Sequence, residues 1–335
     1  MGGDGFARRA SRRTAAPRRG AFAAAVCVAT LSGCSGDVVG EFPSPPTPAI
    51  TATPSEEPDR QILAEIPVDG SPCFLTEAAG RVWVTAFDGD ELIEIDPGAN
   101  EVVRTYRMPG GPCGMLERDG TLWVETPNAG ALVAFDPERG EVIDRIRIPG
   151  GIFGVTSTPT GLWGVAGQAE QVVQMDPESG AVLARIDVEG PLGGLVFARD
   201  QIWTAANGAL VRIDPRSRSV VEEIELESFE PEGLAVDGDL LWVSSSFEGT
   251  VLRFDLGTME VRDRLQVDGS LFGGAVVGDS YWVSGNNTIY ELDTGSGEVV
   301  DQRDLVGFGP FPADGDLWTV DFISNTVFRL DERAA

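Results

Sequence analysis

The side chains that most often carry out acid–base and metal chemistry are scarce in this chain of 335 residues. Histidine is absent, and with it the commonest general base and the commonest transition-metal ligand. Cys73 and Cys113 could form a disulfide, remain as two buried free thiols, or contribute to a metal site. Two thiolates fall short of the four ligands that zinc usually takes, whereas a disulfide is permitted outside the cytoplasm. We therefore favour the disulfide.

Oxygen-bearing side chains offer a second chemistry. Carboxylate and amide oxygens are ligands that a hard cation such as Ca²⁺ accepts. Glu232, Asn207 and Asn286 would supply such oxygens if the fold made them converge. Their spacing matches no known calcium motif, so we expect no cofactor and keep calcium as the alternative.

A repeat of about 40 residues must position these groups. All seven tryptophans of the chain stand at intervals of 36 to 40 residues: Trp83, Trp123, Trp163, Trp203, Trp242, Trp282 and Trp318. Around Trp123 the sequence alternates between short apolar segments and turn residues, which predicts strands at 112–116, 121–125, 131–135 and 141–148. Four short strands per repeat are typical of a propeller blade.

The seventh repeat lacks its last strand, because the chain ends soon after a predicted third strand at 326–330. Residues 60–67 match the fourth strands of the other repeats. We expect this N-terminal strand to complete the last blade and to protect an otherwise open edge. The prediction is an all-β, seven-bladed β-propeller of four-stranded blades, occupying residues 60–335.

The segments GPCGMLERDGTLWVETPNAGALVAFDPERGEVI and PEGLAVDGDLLWVSSSFEGTVLRFDLGTMEV resemble YVTN-repeat and NHL-type seven-bladed propellers of the streptogramin lyase-like group. The resemblance covers residues 60–331 and implies a fold rather than a function, because that superfamily includes enzymes, binding modules and scaffolds. Streptogramin lyases use histidine and acidic residues around a magnesium ion. Without histidine, that mechanism cannot be transferred to any residue of this chain.

In propellers of this kind, ligands bind at one end of the central channel, beside the start of each first strand and the loop between strands two and three. The corresponding positions lie ten residues before and four residues after each tryptophan. A few polar groups on an apolar lining are typical of a small-ligand site. They are equally typical of a plugged channel, which we favour. The candidate ligand-binding residues at this mouth are Glu232, Phe153, Phe272, Phe308, Phe87, Asn207, Asn286 and Phe322.

The N-terminal region has the pattern of an export signal. Six arginines are followed by an apolar run at 21–31, too short to span a bilayer. The run ends in Leu31-Ser32-Gly33-Cys34, which resembles the lipobox of bacterial lipoproteins, whose cysteine is acylated after cleavage. We therefore expect a lipoprotein signal peptide at 1–33 and lipidation of Cys34, the alternative being an ordinary signal peptide. Export by the general or the twin-arginine route stays open.

Residues 34–59 are rich in proline, serine and threonine and are predicted to form a disordered tether. The formal net charge of the chain is −28, which makes nucleic acid and anionic lipid headgroups poor partners. The only membrane contact that we expect is the lipid anchor.

These features predict a monomeric, membrane-anchored extracytoplasmic propeller that serves as a binding or interaction module. Its ligand would be a protein, peptide, glycan or small molecule. Catalysis is left open, with the non-enzymatic interpretation favoured because no catalytic group is evident. The alternative is a calcium-dependent lactonase or a lyase-like enzyme with its site at the channel mouth.

Overall fold

A computed structural model describes residues 62–190, 192–227, 229–245, 249–285 and 287–331. The predicted signal peptide, Cys34, the tether and Asn286 lie outside these residues. The described part consists of strands and turns, with two short 3₁₀ helices at Pro127–Ala129 and Gly167–Ala169. Within it, no helix has the length and apolar character needed to cross a membrane.

The strands form seven four-stranded antiparallel sheets. In chain order, β1 (Ile62–Pro67) precedes blade 1, which consists of β2 (Pro72–Ala78), β3 (Arg81–Ala86), β4 (Glu91–Asp96) and β5 (Glu101–Arg107). Blade 2 consists of β6 (Met115–Arg118), β7 (Thr121–Thr126), β8 (Ala131–Asp136) and β9 (Glu141–Arg147), and blade 3 of β10 (Phe153–Thr158), β11 (Gly161–Ala166), β12 (Gln171–Met175) and β13 (Val182–Asp187). Blade 4 consists of β14 (Leu192–Ala198), β15 (Gln201–Ala206), β16 (Ala209–Asp214) and β17 (Ser219–Glu225), and blade 5 of β18 (Pro231–Asp237), β19 (Leu240–Ser245), β20 (Thr250–Asp255) and β21 (Glu260–Gln266). Blade 6 consists of β22 (Leu271–Val277), β23 (Ser280–Gly285), β24 (Ile289–Asp293) and β25 (Val299–Arg303), and blade 7 begins with β26 (Phe308–Ala313), β27 (Asp316–Asp321) and β28 (Thr326–Leu330).

The N-terminal strand completes the last blade, as predicted. Strand β1 pairs antiparallel with β28, so that Ile66 lies opposite Val327 and Ile62 opposite Leu330. The sheet order of blade 7 is therefore β1-β28-β27-β26. This pairing confirms the seven-bladed propeller and its closure by two segments from the two ends of the described chain.

The tryptophans are buried at the seams between blades. Trp83 of blade 1 packs with Met115 and Leu122 of blade 2, and Trp318 of blade 7 packs with Leu75 and Val82 of blade 1. Each of the seven hydrophobic clusters contains one tryptophan and residues of the following blade. Large aromatic side chains contribute much buried area per residue, so one tryptophan per repeat gives every seam a core.

Strand β6 starts later than predicted. The sequence predicted a strand from residue 112, whereas β6 begins at Met115. Gly110 and Gly111 both have positive φ, and Pro112 has no N–H to donate to a ladder. Cys113 nevertheless donates its N–H to the Glu125 carbonyl at 3.1 Å, so the chain stays beside β7.

The antiparallel order gives the ring two distinct faces. One face, here called the mouth face, carries the loops between second and third strands and the connections from one blade to the next. The other, the opposite face, carries the loops between first and second strands and between third and fourth strands. Ile62 and Leu330, which pair, both lie at the opposite face.

Candidate functional site

The loops of the mouth face are linked to one another by hydrogen bonds. The Asp90 carboxylate accepts the N–H groups of Gly110 (2.8 Å) and Gly111 (2.9 Å). These two bonds, chiefly the one from Gly111, lower the pKa of Asp90. In blade 7, Asn325 Oδ1 accepts the N–H of Ser71 at 2.9 Å. At these two places neighbouring loops of the face are held together.

The loop 322–325 of blade 7 holds two apolar side chains in solvent. Ile323 is 69% exposed and Phe322 is 39% exposed. Asp321, which is buried, accepts the N–H groups of Ile323 (2.7 Å) and Ser324 (3.2 Å) through Oδ1. Its Oδ2 accepts the Ser324 hydroxyl at 2.7 Å. Burying a carboxylate is costly unless it is hydrogen-bonded, and these bonds hold the loop in a shape that exposes Phe322 and Ile323.

The described loops of the mouth face contain acidic residues and no arginine, in a chain that has no lysine or histidine. All the acidic residues except Asp90 are exposed. None of them forms an ion pair with the described residues. The set is Asp69, Asp88, Asp90, Glu170, Glu189, Glu227, Glu230, Asp268 and Asp304.

The structure brings only part of the predicted mouth set into contact. The rings of Phe272 and Phe308, in adjacent blades, have centroids 6.0 Å apart. Phe87 packs over Gly111, where an added Cβ would lie 2.8 Å from its ring. Phe153, at the start of β10, is 37% exposed.

The polar members of that set are dispersed. The Asn207 amide donates to the Glu189 carbonyl at 3.1 Å, which leaves its side chain with a structural role. Glu232 is half-buried in β18, where its carbonyl oxygen lies close to Gly193 of the neighbouring inner strand. Asn286 is outside the described residues. Within those residues, no three Cys, Asp or Glu side chains form a group that could hold a metal ion.

Cys73 and Cys113 form a disulfide between blades 1 and 2. Their Cα atoms are 5.1 Å apart, within the limit of about 7 Å for such a bridge. Thr85 supports the same seam, because its hydroxyl donates to the Cys113 carbonyl. The bond joins the inner strand of blade 1 to the connection that leads into β6.

Glu125 is a buried ionisable group outside the predicted set of ligand-binding residues. It lies on β7, is 4% exposed, and its Oε1 accepts the N–H of Val155 from blade 3 at 2.8 Å. Burial raises its pKa to about 7, although hydrogen bonds from Val155, Gly154 and Gly114 lower it. The sequence contained a signal for it: the equivalent position, two residues after each tryptophan, is uncharged in the other blades. Those residues are Thr85, Val165, Ala205, Ser244, Ser284 and Val320.

Ile323 lies five residues after Trp318, one residue beyond the predicted ring of mouth positions. A cavity of about 40 Å³ is lined by Phe197 and turn residues of the opposite face. That volume is far below the roughly 300 Å³ at which ligand pockets begin.

The fold and this site define a seven-bladed β-propeller with an acidic mouth face and an exposed apolar loop. The chain belongs to the family described as outer membrane protein assembly factor BamB, whose sequence model matches residues 35–264. The more specific resemblance to YVTN-repeat, NHL-type and streptogramin lyase-like propellers stays a prediction.

Among solved structures, the chain is similar to hydrazine synthase of Kuenenia stuttgartiensis. The TM-score is 0.69 and the sequence identity is 14%, over 79% of this chain and 96% of that one. At this identity the likeness shows the fold alone. No curated protein matches the sequence.

Proposed function

We propose that this protein is a non-enzymatic interaction module that presents its mouth face to a protein partner outside the cytoplasm. The observation that carries the proposal is the loop of Phe322 and Ile323, which Asp321 holds in an exposed conformation. Exposed apolar side chains in a fixed loop are typical of contact surfaces. A family named for an assembly factor of outer membrane proteins supports a protein as the partner.

The proposal includes a lipid anchor at Cys34, which would place the propeller at a membrane surface. Ile62 lies on the opposite face, so the chain enters the propeller away from Phe322 and Ile323. Replacement of Cys34 by alanine is expected to abolish incorporation of labelled fatty acid and to release the protein from the membrane fraction. Continued labelling of this variant would refute the anchor without affecting the proposal for the mouth face.

Photo-crosslinking in intact cells tests the interaction site. A photoreactive residue at Ile323 is expected to form a defined adduct with one partner protein, identified by mass spectrometry. The matched control is the same residue at Val300, which is 47% exposed on the outer strand β25. Adducts that form at Val300 and not at Ile323 would move the interaction to the rim of the ring.

We propose that the protein works as a monomer and without a cofactor. Calorimetric titration with calcium chloride is expected to show no binding heat from the micromolar to the low-millimolar range. Saturable binding that is lost in a Glu232→Gln variant would instead favour the calcium-dependent alternative.

A further inference from the structure

We propose that the partner contacts the mouth face through a cationic polypeptide segment whose apolar side chain packs on Phe322 and Ile323. This inference rests on the proposed function and specifies the chemistry of the partner. It requires an exposed apolar loop of fixed shape and, around that loop, carboxylates that no arginine in the described part of the chain pairs with; these carboxylates are called the negative surround. It also requires that other classes of binding partner fit this surface less well.

The apolar contact is anchored on both sides of the loop. Asp321 holds its first part, as described above. At its other end, the Asn325 carbonyl accepts the N–H of Val68 at 2.9 Å, and Asn325 Oδ1 accepts the N–H of Ser71. Phe322 and Ile323 therefore need little ordering when a partner binds, which lowers the entropic cost of association.

The negative surround lies on connections of the same face. Asp69 belongs to the connection 68–71, to which Asn325 is bonded, and Asp304 belongs to the connection 304–307, which enters blade 7. Both carboxylates are exposed. Further along the ring, Glu230 and Asp268 continue the same charge toward blade 5.

On the opposite face, arginines pair with the carboxylates of neighbouring turns. Arg199 pairs with Asp239 at 2.8 Å and Arg329 pairs with Asp314 at 3.0 Å. The mouth face receives Arg264, which donates to the Glu227 carbonyl at 2.8 Å, but within the described residues no arginine forms an ion pair with the carboxylates of its loops. Its potential is therefore available to attract a cationic segment and to raise its rate of association.

The same charge argues against the other occupants. Anionic lipid and nucleic acid would be repelled by these carboxylates. A second copy docked mouth to mouth would place like charges against one another across a two-fold axis. A neutral glycan gains nothing from the acidic surround, whereas a segment with arginine or lysine beside an aromatic or aliphatic residue matches both features.

Binding of synthetic peptides to the full chain, followed by fluorescence anisotropy, tests this inference. The probe alternates arginine with tryptophan and leucine and has blocked ends, and two matched peptides carry glutamine or glutamate in place of arginine. The arginine peptide is expected to bind at least about tenfold more tightly than either of them. Raising the salt from about 0.15 M to about 1 M should weaken it several-fold, because screening shortens from about 8 Å to about 3 Å.

Variants locate the binding. Phe322→Ser combined with Ile323→Ser should weaken the arginine peptide by about tenfold or more, and Asp69→Asn combined with Asp304→Asn by several-fold. The matched controls, Val300→Ser on the outer strand and Asp119→Asn on the opposite face, should leave binding unchanged. Thermal unfolding midpoints equal to that of the unaltered protein would show that these exposed substitutions leave the fold intact.

The outcomes separate the two proposals. Equal binding of all three peptides, lost in the Phe322/Ile323 variant, would overturn the cationic partner and keep the mouth face as the contact site. Binding of the arginine peptide that the Phe322/Ile323 variant retains would overturn the location. Absence of binding to any peptide would overturn this inference, while crosslinking at Ile323 would still decide the proposed function.

Discussion

The N–H of Val155 in blade 3 donates to the buried carboxyl of Glu125 in blade 2, across a seam whose hydrophobic core contains Trp123. The carboxyl accepts further bonds from Gly154 and Gly114, yet burial still raises its pKa to about 7. The seam between blades 2 and 3 therefore contains a group whose protonation changes near neutral pH.

The stability of the protein should depend on pH through Glu125. Its pKa is raised from an ordinary value of 4.5, so between about pH 4.5 and 7 the folded state holds more of this proton than the unfolded state. This contribution to the free energy of unfolding is full below pH 4.5, falls as the pH rises to about 7, and is constant above that. The total change is about 3 kcal/mol. Urea unfolding at a series of pH values measures it.

A Glu125→Gln variant isolates this contribution, because it keeps an acceptor for the Val155 N–H and removes the titration. The difference in unfolding free energy between the two proteins should slope between pH 4.5 and 7 and level off above. Glu138→Gln, an exposed change on the opposite face, is the control and should leave the pH profile as it is. If the difference in unfolding free energy between the two proteins did not change with pH, the pKa of Glu125 would not be raised in the folded state.

Reduction of the disulfide between Cys73 and Cys113 should lower the free energy of unfolding by about 2–4 kcal/mol, because the bond restricts the unfolded chain. Chemical unfolding with and without reductant measures the loss, and the mass of alkylated protein verifies that the bond was cleaved. A Cys73→Ser, Cys113→Ser double variant should show the same loss and no response to reductant. An unchanged midpoint in fully reduced protein would mean that the seam does not depend on the bond.

Shortening a side chain of the closing strand β1 should lower the free energy of unfolding substantially only where that side chain faces the core. Ile66 is 3% exposed against the core of blades 7 and 1, whereas Leu63 on the same strand is 39% exposed. Ile66→Ala is expected to cost about 2–4 kcal/mol of unfolding free energy, and Leu63→Ala less than about 1 kcal/mol. Similar losses for both would indicate that β1 does not pack as described.

Asp321 should control the conformation of the exposed loop. Asp321→Ala removes the acceptor for Ile323, Ser324 and the Ser324 hydroxyl, which is expected to cost about 1–3 kcal/mol of unfolding free energy. The loop should then be cleaved more readily by protease, and crosslinking from residue 323 should weaken. Asp321→Asn keeps one carbonyl acceptor and should retain part of both properties. If the Asp321→Ala variant crosslinked as strongly as the unaltered protein, partner binding would not depend on the loop conformation that Asp321 maintains.

The repeat predicted the fold well because its determinants are local. One tryptophan per unit, such as Trp123, and the alternation of the strands around it are written into each segment of about 40 residues. The closure by residues 60–67 followed from counting strands. Turns, by contrast, depend on single residues, and Gly110, Gly111 and Pro112 delayed β6 in a way that periodicity does not report.

The site was less predictable from the sequence. Equivalent residues of different blades lie at the same level along the channel, but only those of adjacent blades can touch. Phe272 and Phe308 touch because their blades are adjacent, whereas Asn207 is bonded within its own blade. Glu125 owes its raised pKa to burial at a seam with the neighbouring blade, whose Val155 lies about 30 residues away in sequence. Ile323 is exposed because of the bonds that Asp321 makes, and hydrophobicity alone predicts the reverse.

The pairing of Ile62 with Leu330 has a consequence for how the chain can be rewired. The two residues stand side by side at the same end of antiparallel strands, so a short turn could join them as turns join the third and fourth strands of the other blades. The propeller would then be a continuous ring of strands without chain ends in blade 7. New ends could be opened in any exposed turn of the opposite face, which makes this propeller a suitable scaffold for circular permutants.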